Sequence, residues 1–146
     1  MPEIDVMTEF YAGYFNRDLK SSNIEGFMTR LKAYFAGISY ELDNKTERHY
    51  QTVFYLLLKS MGQFVEVEPR SAIGRADAII VTPAIVYAFE FKLTENATAE
   101  EALKQIDEKG YLTPYMASNK KLVKVGAEFS KTERGLKRWV VESIEH

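Results

Sequence analysis

Residues 85–93, IVYAFEFKL, constrain the fold of this 146-residue chain more than any other stretch. Apolar side chains occupy both alternating sets of positions, the pattern of a strand covered on its two faces. Thr82-Pro83-Ala84 joins it to a second run, RADAIIV (75–81), and a connection this short implies an antiparallel hairpin. FVEVE (64–68) alternates and is closed by Pro69, which adds an earlier strand, and Gly74 marks the turn that follows. If this strand is central in its sheet, both of its faces are covered.

The flanking sequence supplies helices. Ile4, Met7, Phe10, Tyr11, Tyr14 and Phe15 recur at the helical interval, and Ile24, Phe27, Met28, Leu31, Tyr34, Phe35 and Ile38 do so again. Ser22 with Glu25 three residues on has the form of a capping box for this second helix. A third helix is expected from about Lys45 to Met61, with Tyr50, Val53, Phe54, Leu57 and Leu58 as its stripe and Gly62 as its stop. Thr98 and Glu101 open a fourth, with Ala102, Leu103 and Ile106 inward and Gly110 ending it. KLVKVGAEF (121–129) reads as a strand, and the helix before it makes a parallel pairing with 85–93 the expected crossover. The tail from Lys131 to His146 is expected to add a strand or turn around Trp139, Val140 and Val141. The aromatic stripes are core and carry no chemistry.

Composition narrows the class. The length suits one domain, here a helical extension at 1–40 packed on a core at 41–146. Cysteine is absent, which excludes thiolate metal sites and disulfides. No apolar run reaches the roughly 18 residues of a membrane span, and acidic residues stand where a secretory signal would be basic, so a cytoplasmic protein is expected. The net charge of −2 argues against a generally basic nucleic-acid binder. From Lys92 to Arg138, however, ten Lys and Arg face seven Asp and Glu.

The anomaly lies in the hairpin, which carries Asp77 in one arm and Glu90 and Lys92 in the other. Residues i and i+2 of a strand share a face, so Glu90 and Lys92 point the same way and Phe89, Phe91 and Leu93 the other. On an edge strand this would be a surface ion pair worth at most about 1 kcal/mol. On a central strand a withdrawn carboxylate is costly unless paired or bound to a cation. Asp77 reaches the level of Glu90 if the turn lies near Pro83. A divalent cation would resolve the repulsion between two such acids, and Mg²⁺ favours carboxylate, water and phosphate oxygens.

Asp77 followed by Glu90-Phe91-Lys92, in the order helix, three strands, helix, strand, resembles the PD-(D/E)XK nuclease superfamily. GRADAIIVTP, YAFEFKL, EEALKQIDEKGY and VGAEFS are similar to the nuclease-like domain found behind AAA-ATPase-like domains in many bacterial proteins. The resemblance extends from about Thr29 onward and implies an α/β, restriction-endonuclease-like core, with its three-strand antiparallel meander, preceded here by two extra helices. It further implies that Asp77, Glu90 and the backbone carbonyl of Phe91 hold Mg²⁺ or Mn²⁺, and that Lys92 orients the attacking water. Glu47 would hold a metal-bound water, and Gln105 would be a polar residue facing the site. Ala76 stands where the family usually has proline, which leaves the carboxylate of Asp77 intact.

Some of these residues have plainer roles open to them. Glu47, which shares a helix face with Gln51, could be a helix N-terminal acid favoured by the macrodipole, and Lys109 a solvated position. Tyr111 is expected to pack. His49 and His146 lack ligand spacing, and neither a phosphate loop nor a nucleophile elbow is present. The expected function is metal-dependent hydrolysis of nucleic acid, DNA first, with Lys104, Lys109, Lys120, Lys121 and Lys124 as backbone contacts and an AAA-ATPase-like domain as a candidate partner. A non-catalytic binding module regulating such an ATPase is the alternative, and a dimerisation domain with a surface ion pair is a third option.

Overall fold

The structure, a computed structural model, describes residues 13–37, 47–60, 66–67, 78–130, 132 and 135–144, with side chains at these positions except 47–52, 55, 66 and 67. The elements are α1 (13–20), α2 (Ile24–Ala36), α3 (Glu47–Ser60), β1 (Glu66–Val67), β2 (Ala78–Val81), β3 (Ile85–Leu93), α4 (Ala99–Glu108), a 3₁₀ turn (Thr113–Tyr115), β4 (Lys121–Ser130) and β5 (Gly135–Ile144). The strands form one five-stranded sheet in sequence order, β1-β2-β3-β4-β5. β1, β2 and β3 are a meander of antiparallel neighbours, β3 and β4 are parallel across α4, and β5 returns antiparallel to β4. The chain therefore has the α/β order of elements read from its periodicity, the order that the resemblance to a restriction-endonuclease-like core implies, with β3 at the centre of the sheet.

Strand parity divides the two layers. Tyr87, Phe89, Phe91 and Leu93 of β3, with Val123, Val125, Ala127 and Phe129 of β4, pack against buried residues of α1, α2 and α3. Phe54 of α3 meets Phe91 edge-on with ring centroids 4.6 Å apart, and Phe35 of α2 meets Phe129 at 4.8 Å. Edge-to-face geometry suits the ring quadrupoles and adds roughly 0.5–1.5 kcal/mol per pair to simple burial. Tyr87 carries the one hydroxyl of this aromatic row along β3, and it donates to the carbonyl of Leu19 at 2.6 Å. Burial and then the nearby Asp18 push its pKa upward, so it stays a donor.

The opposite face belongs to α4, whose Ile106 joins Ile79, Val86, Ala88, Leu112 and Leu122. Thr98 caps this helix and forms the complete box with Glu101. Gly110 follows the helix in the left-handed region, φ 64°. Tyr111 packs against the same cluster, as expected. Contact between α4 and β4 is unusually close at Gly126, where a Cβ would lie 2.2 Å from the carbonyl oxygen of Ala99 and 2.7 Å from the amide of Leu103. Only glycine lets the two backbones meet there.

Two expectations need correction. The cap of α2 is Asn23, whose side chain accepts from the Gly26 amide at 3.1 Å, and not Ser22. Ser22 is left-handed, φ 64°, which takes it out of the extended geometry a capping residue uses, so the role passes to the next residue. Glu25 instead accepts a hydrogen bond from the indole of Trp139 at 3.0 Å. Tyr14 is not core: it is 40% exposed, and the guanidinium groups of Arg17 and Arg30 lie over its ring, 5.0 and 4.6 Å from the centroid. Ile4, Met7, Phe10, Tyr11, Ile38, Gly62 and Gly74 lie outside the described residues. No helix among the described residues is long and apolar enough to cross a membrane.

Candidate active site

The even-numbered residues of β3 point toward α4, and along the strand they run Val86, Ala88, Glu90, Lys92. The same face of β4 presents Leu122, Lys124, Gly126 and Glu128, each in register with its β3 counterpart. β5 continues the rows with Ile144, Glu142, Val140 and Arg138. The face is thus apolar where β3 begins and charged where it ends.

At the charged end Glu90 is only 6% exposed, and its Oε2 lies 3.4 Å from the ammonium of Lys92, itself largely covered. The sheet brings these two residues together as strand parity predicted. Burial removes the screening that makes exposed pairs weak, so the geometry at this point is electrostatically significant. Asp77 lies outside the described residues, one position before Ala78, which pairs with Phe89. Glu47 begins α3, and its side chain also lies outside the described set. Among the described residues no group of three or more His, Cys, Asp and Glu side chains converges on one point. Donor chemistry nonetheless fits a hard divalent cation: Glu90 offers a buried carboxylate and the adjacent Phe91 a carbonyl, and the chain has no cysteine thiolate to compete.

Gln105 sits half-buried on α4, and its Oε1 is buried with no hydrogen-bond partner among the described residues. Asp107 and Glu100 reach toward β4 and β5, and at 100° per residue Gln105 falls on the other flank of the helix, over β3. That flank carries Lys109 as well. A buried amide oxygen left unmatched costs about 1–3 kcal/mol.

The five lysines read as backbone contacts do not form one surface. Lys104 and Lys109 are exposed on α4. Lys120 and Lys121 lie at the start of β4, bonded to the Thr82 carbonyl at 2.9 Å and the Ser22 hydroxyl at 3.0 Å. Lys121 is in register with Ile85 and Gly126 with Glu90, so these lysines stand at the far end of the strand from Glu90. Lys124 is a correction. It is 2% exposed, it donates to Asp107 at 2.7 Å and also to Glu142, and it is not an exposed contact. Burial opposes its charge, but the hydrogen bonds it donates to the two carboxylates outweigh burial and hold its pKa above the usual lysine value.

Glu128 was assigned no role from sequence. It is buried on the same face, and its Oε1 accepts from the Thr94 hydroxyl at 2.7 Å. Its Oε2 accepts from the Ala99 amide at 2.7 Å and from Arg138 at 2.6 Å. Burial alone would raise its pKa; those donors reverse the effect and hold it below the usual carboxylate range. Arg138 also grips Glu100 through both oxygens, at 2.8 and 2.5 Å, and the Glu100 carboxyl is held down at about 2. The only sequence signal for this network was an acid at an even position of an apolar strand.

An acid and a lysine separated by one residue on a central strand, flanked by a meander, a crossover helix and a parallel strand, agree with the family comparison. The profile of the PD-(D/E)XK nuclease superfamily matches residues 45–139. The chain belongs to this superfamily. As a superfamily member it is also 33% identical over 131 residues to an "Uncharacterized protein in vnfD 5'region" of Azotobacter chroococcum mcd 1. That match covers 86% of the chain but 25% of the relative, so the chain spans about a quarter of the relative's length. No solved structure matches it.

Proposed function

We propose that this domain hydrolyses phosphodiester bonds in nucleic acid, with DNA as the first substrate to test. The observation that carries the proposal is the nearly buried Glu90–Lys92 pair on one face of the central strand, in a chain of nuclease ancestry. The described antiparallel register pairs Ala78 with Phe89, and one further step in that register would oppose Asp77 to Glu90. In the proposed site Asp77, Glu90 and the Phe91 carbonyl hold Mg²⁺ or Mn²⁺. Such a cation supplies a more acidic water and neutralises charge on the phosphate.

The chain's own groups do the rest. The ammonium of Lys92, tethered beside Glu90, donates to the attacking water or to a non-bridging phosphate oxygen and offsets the charge that builds there. Gln105, on the flank of α4 over β3, would orient the water, and Glu47 would hold a metal-bound water. Lys104 and Lys109 accompany the nucleic-acid backbone along α4. The match to one quarter of a longer relative supports a domain acting beside others; the partner proposed for it is an AAA-ATPase-like domain, and the compartment the cytoplasm.

The test is incubation of the chain with linear and circular duplex DNA, single-stranded DNA and RNA, each with Mn²⁺, Mg²⁺ or EDTA. Cleavage is expected only with metal, and Asp77→Asn, Glu90→Gln and Lys92→Ala should each lower it by roughly 10²–10⁴-fold. Cleavage undiminished in Lys92→Ala would overturn the mechanism. Salt-sensitive retention of DNA without cleavage would point instead to the non-catalytic binding module.

A further inference from the structure

The network around Glu128 touches neither Glu90 nor Lys92 in any described hydrogen bond, yet it encloses the segment that follows them. Lys92 and Glu128 are register partners on adjacent strands. One oxygen of Glu128 holds Thr94, the first residue after β3, and the other holds the amide of Ala99, the first residue of α4. A single buried carboxylate therefore pins both ends of the 94–99 connection. Arg138 locks that carboxylate from β5 and, through Glu100, ties the first turn of α4 to the same strand. The backbone contact at Gly126 sets how closely α4 approaches the sheet, and this network sets its position along the sheet.

We propose that Glu128 is a positioning residue: its carboxylate, locked by Arg138, fixes the β3–α4 connection and so holds Lys92 and Gln105 in place over the reacting phosphate. The assignment rests on the nuclease function proposed for Glu90 and Lys92. Three donors on two oxygens leave Glu128 little capacity for a cation, so it is not a fourth ligand. Its charge suits the N-terminus of α4, whose first amide, that of Ala99, it accepts from and where the helix dipole favours an anion. Gln in its place keeps the size but loses one acceptor oxygen and the attraction for Arg138. Asp keeps the charge with a shorter reach.

The experiment compares the full chain with Glu128→Gln, Glu128→Asp and Arg138→Gln by steady-state cleavage, Mn²⁺ titration calorimetry and amide hydrogen exchange. Glu128→Gln should lower kcat by roughly ten- to a hundredfold, as small misplacements of catalytic groups do. KM and Mn²⁺ affinity should stay within about twofold, because the proposed ligands are untouched. Exchange at the Ala99 amide should quicken at least about tenfold, and Glu128→Asp should recover part of both losses. If Glu128→Gln does not fold, Arg138→Gln carries the same comparison from a half-exposed position. Faster exchange with wild-type kcat would overturn the positioning role, and unchanged exchange would overturn the clamp itself. A wild-type chain that cleaves nothing would overturn the nuclease function and with it the catalytic half of the assignment, while exchange would still judge the clamp.

Discussion

Gly126→Ala is the sharpest probe of how the candidate site is assembled. Gly126 lies beside Glu90 in register, and the methyl added there would stand 2.2 Å from the Ala99 carbonyl oxygen and 2.7 Å from the Leu103 amide. Both are backbone atoms of α4, so no side chain can swing aside. Restoring ordinary contact at about 3.4 Å requires the helix to retreat by roughly 1 Å, opening gaps around Ala102 and Ile106. Overpacking of this kind costs about 1–3 kcal/mol, with the rigid obstacle placing it at the upper end. The stiffer unfolded chain returns about 0.4–1 kcal/mol. The net loss of about 2 kcal/mol corresponds to a Tm lower by about 4–8 °C for a chain of this size. Gly13→Ala, a helical position with nothing within 4 Å of the added Cβ, is the control and should be neutral or slightly stabilising. Calorimetry on both variants decides the matter: a Gly126→Ala chain melting within about 2 °C of wild type would refute the close approach of α4 and β4.

Lys124 predicts an asymmetry. Lys124→Met removes the buried charge and leaves two half-exposed acids in water, so it should cost less than about 1.5 kcal/mol, whereas the double variant Asp107→Ala/Glu142→Ala strands the ammonium and should cost about 3 kcal/mol by urea denaturation. Lys124→Met should also leave the salt dependence of DNA binding unchanged, since a covered side chain releases no counterion. The carboxyl of Glu128 is held below its ordinary value near 4.5, so its stabilisation is complete above that pH and disappears as pH falls through the folded value. The stability gap between wild type and Glu128→Gln should therefore narrow from about pH 5 downward, and a gap independent of pH would count against the charged network. Tyr87→Phe removes the hydroxyl from the Leu19 carbonyl and should cost about 1–2 kcal/mol with little effect on cleavage, as the hydroxyl lies on the α1 side of the sheet.

Much of the architecture was legible because periodicity is a local property. The run 85–93 is β3 to the residue, 121–129 is β4 less its last residue, and Thr98 with Glu101 caps α4 as the spacing required. Parity alone put Glu90 and Lys92 on one face. The failures share a different cause. Ser22 and Glu25 have the spacing of a capping box, but the left-handed turn at Ser22, with the Asn23 amide bound to the Asp18 carbonyl, moved the cap to Asn23. Tyr14 fits the apolar stripe of α1, yet the two arginines over its ring come from α1 and α2 together.

What the amino-acid order determined unaided was which backbone segments extend or coil, and so which side chains share a face, because those follow from repeats of 2 and 3.6 residues. Only the tertiary structure decided which charges are used up. Lys124 meets Asp107 and Glu142, and Glu128 meets Thr94, Ala99 and Arg138, across separations of 10 to 34 residues. The energy of a charge depends on its distance through space and on the water it has lost, and both are set only when helix and sheet are packed together.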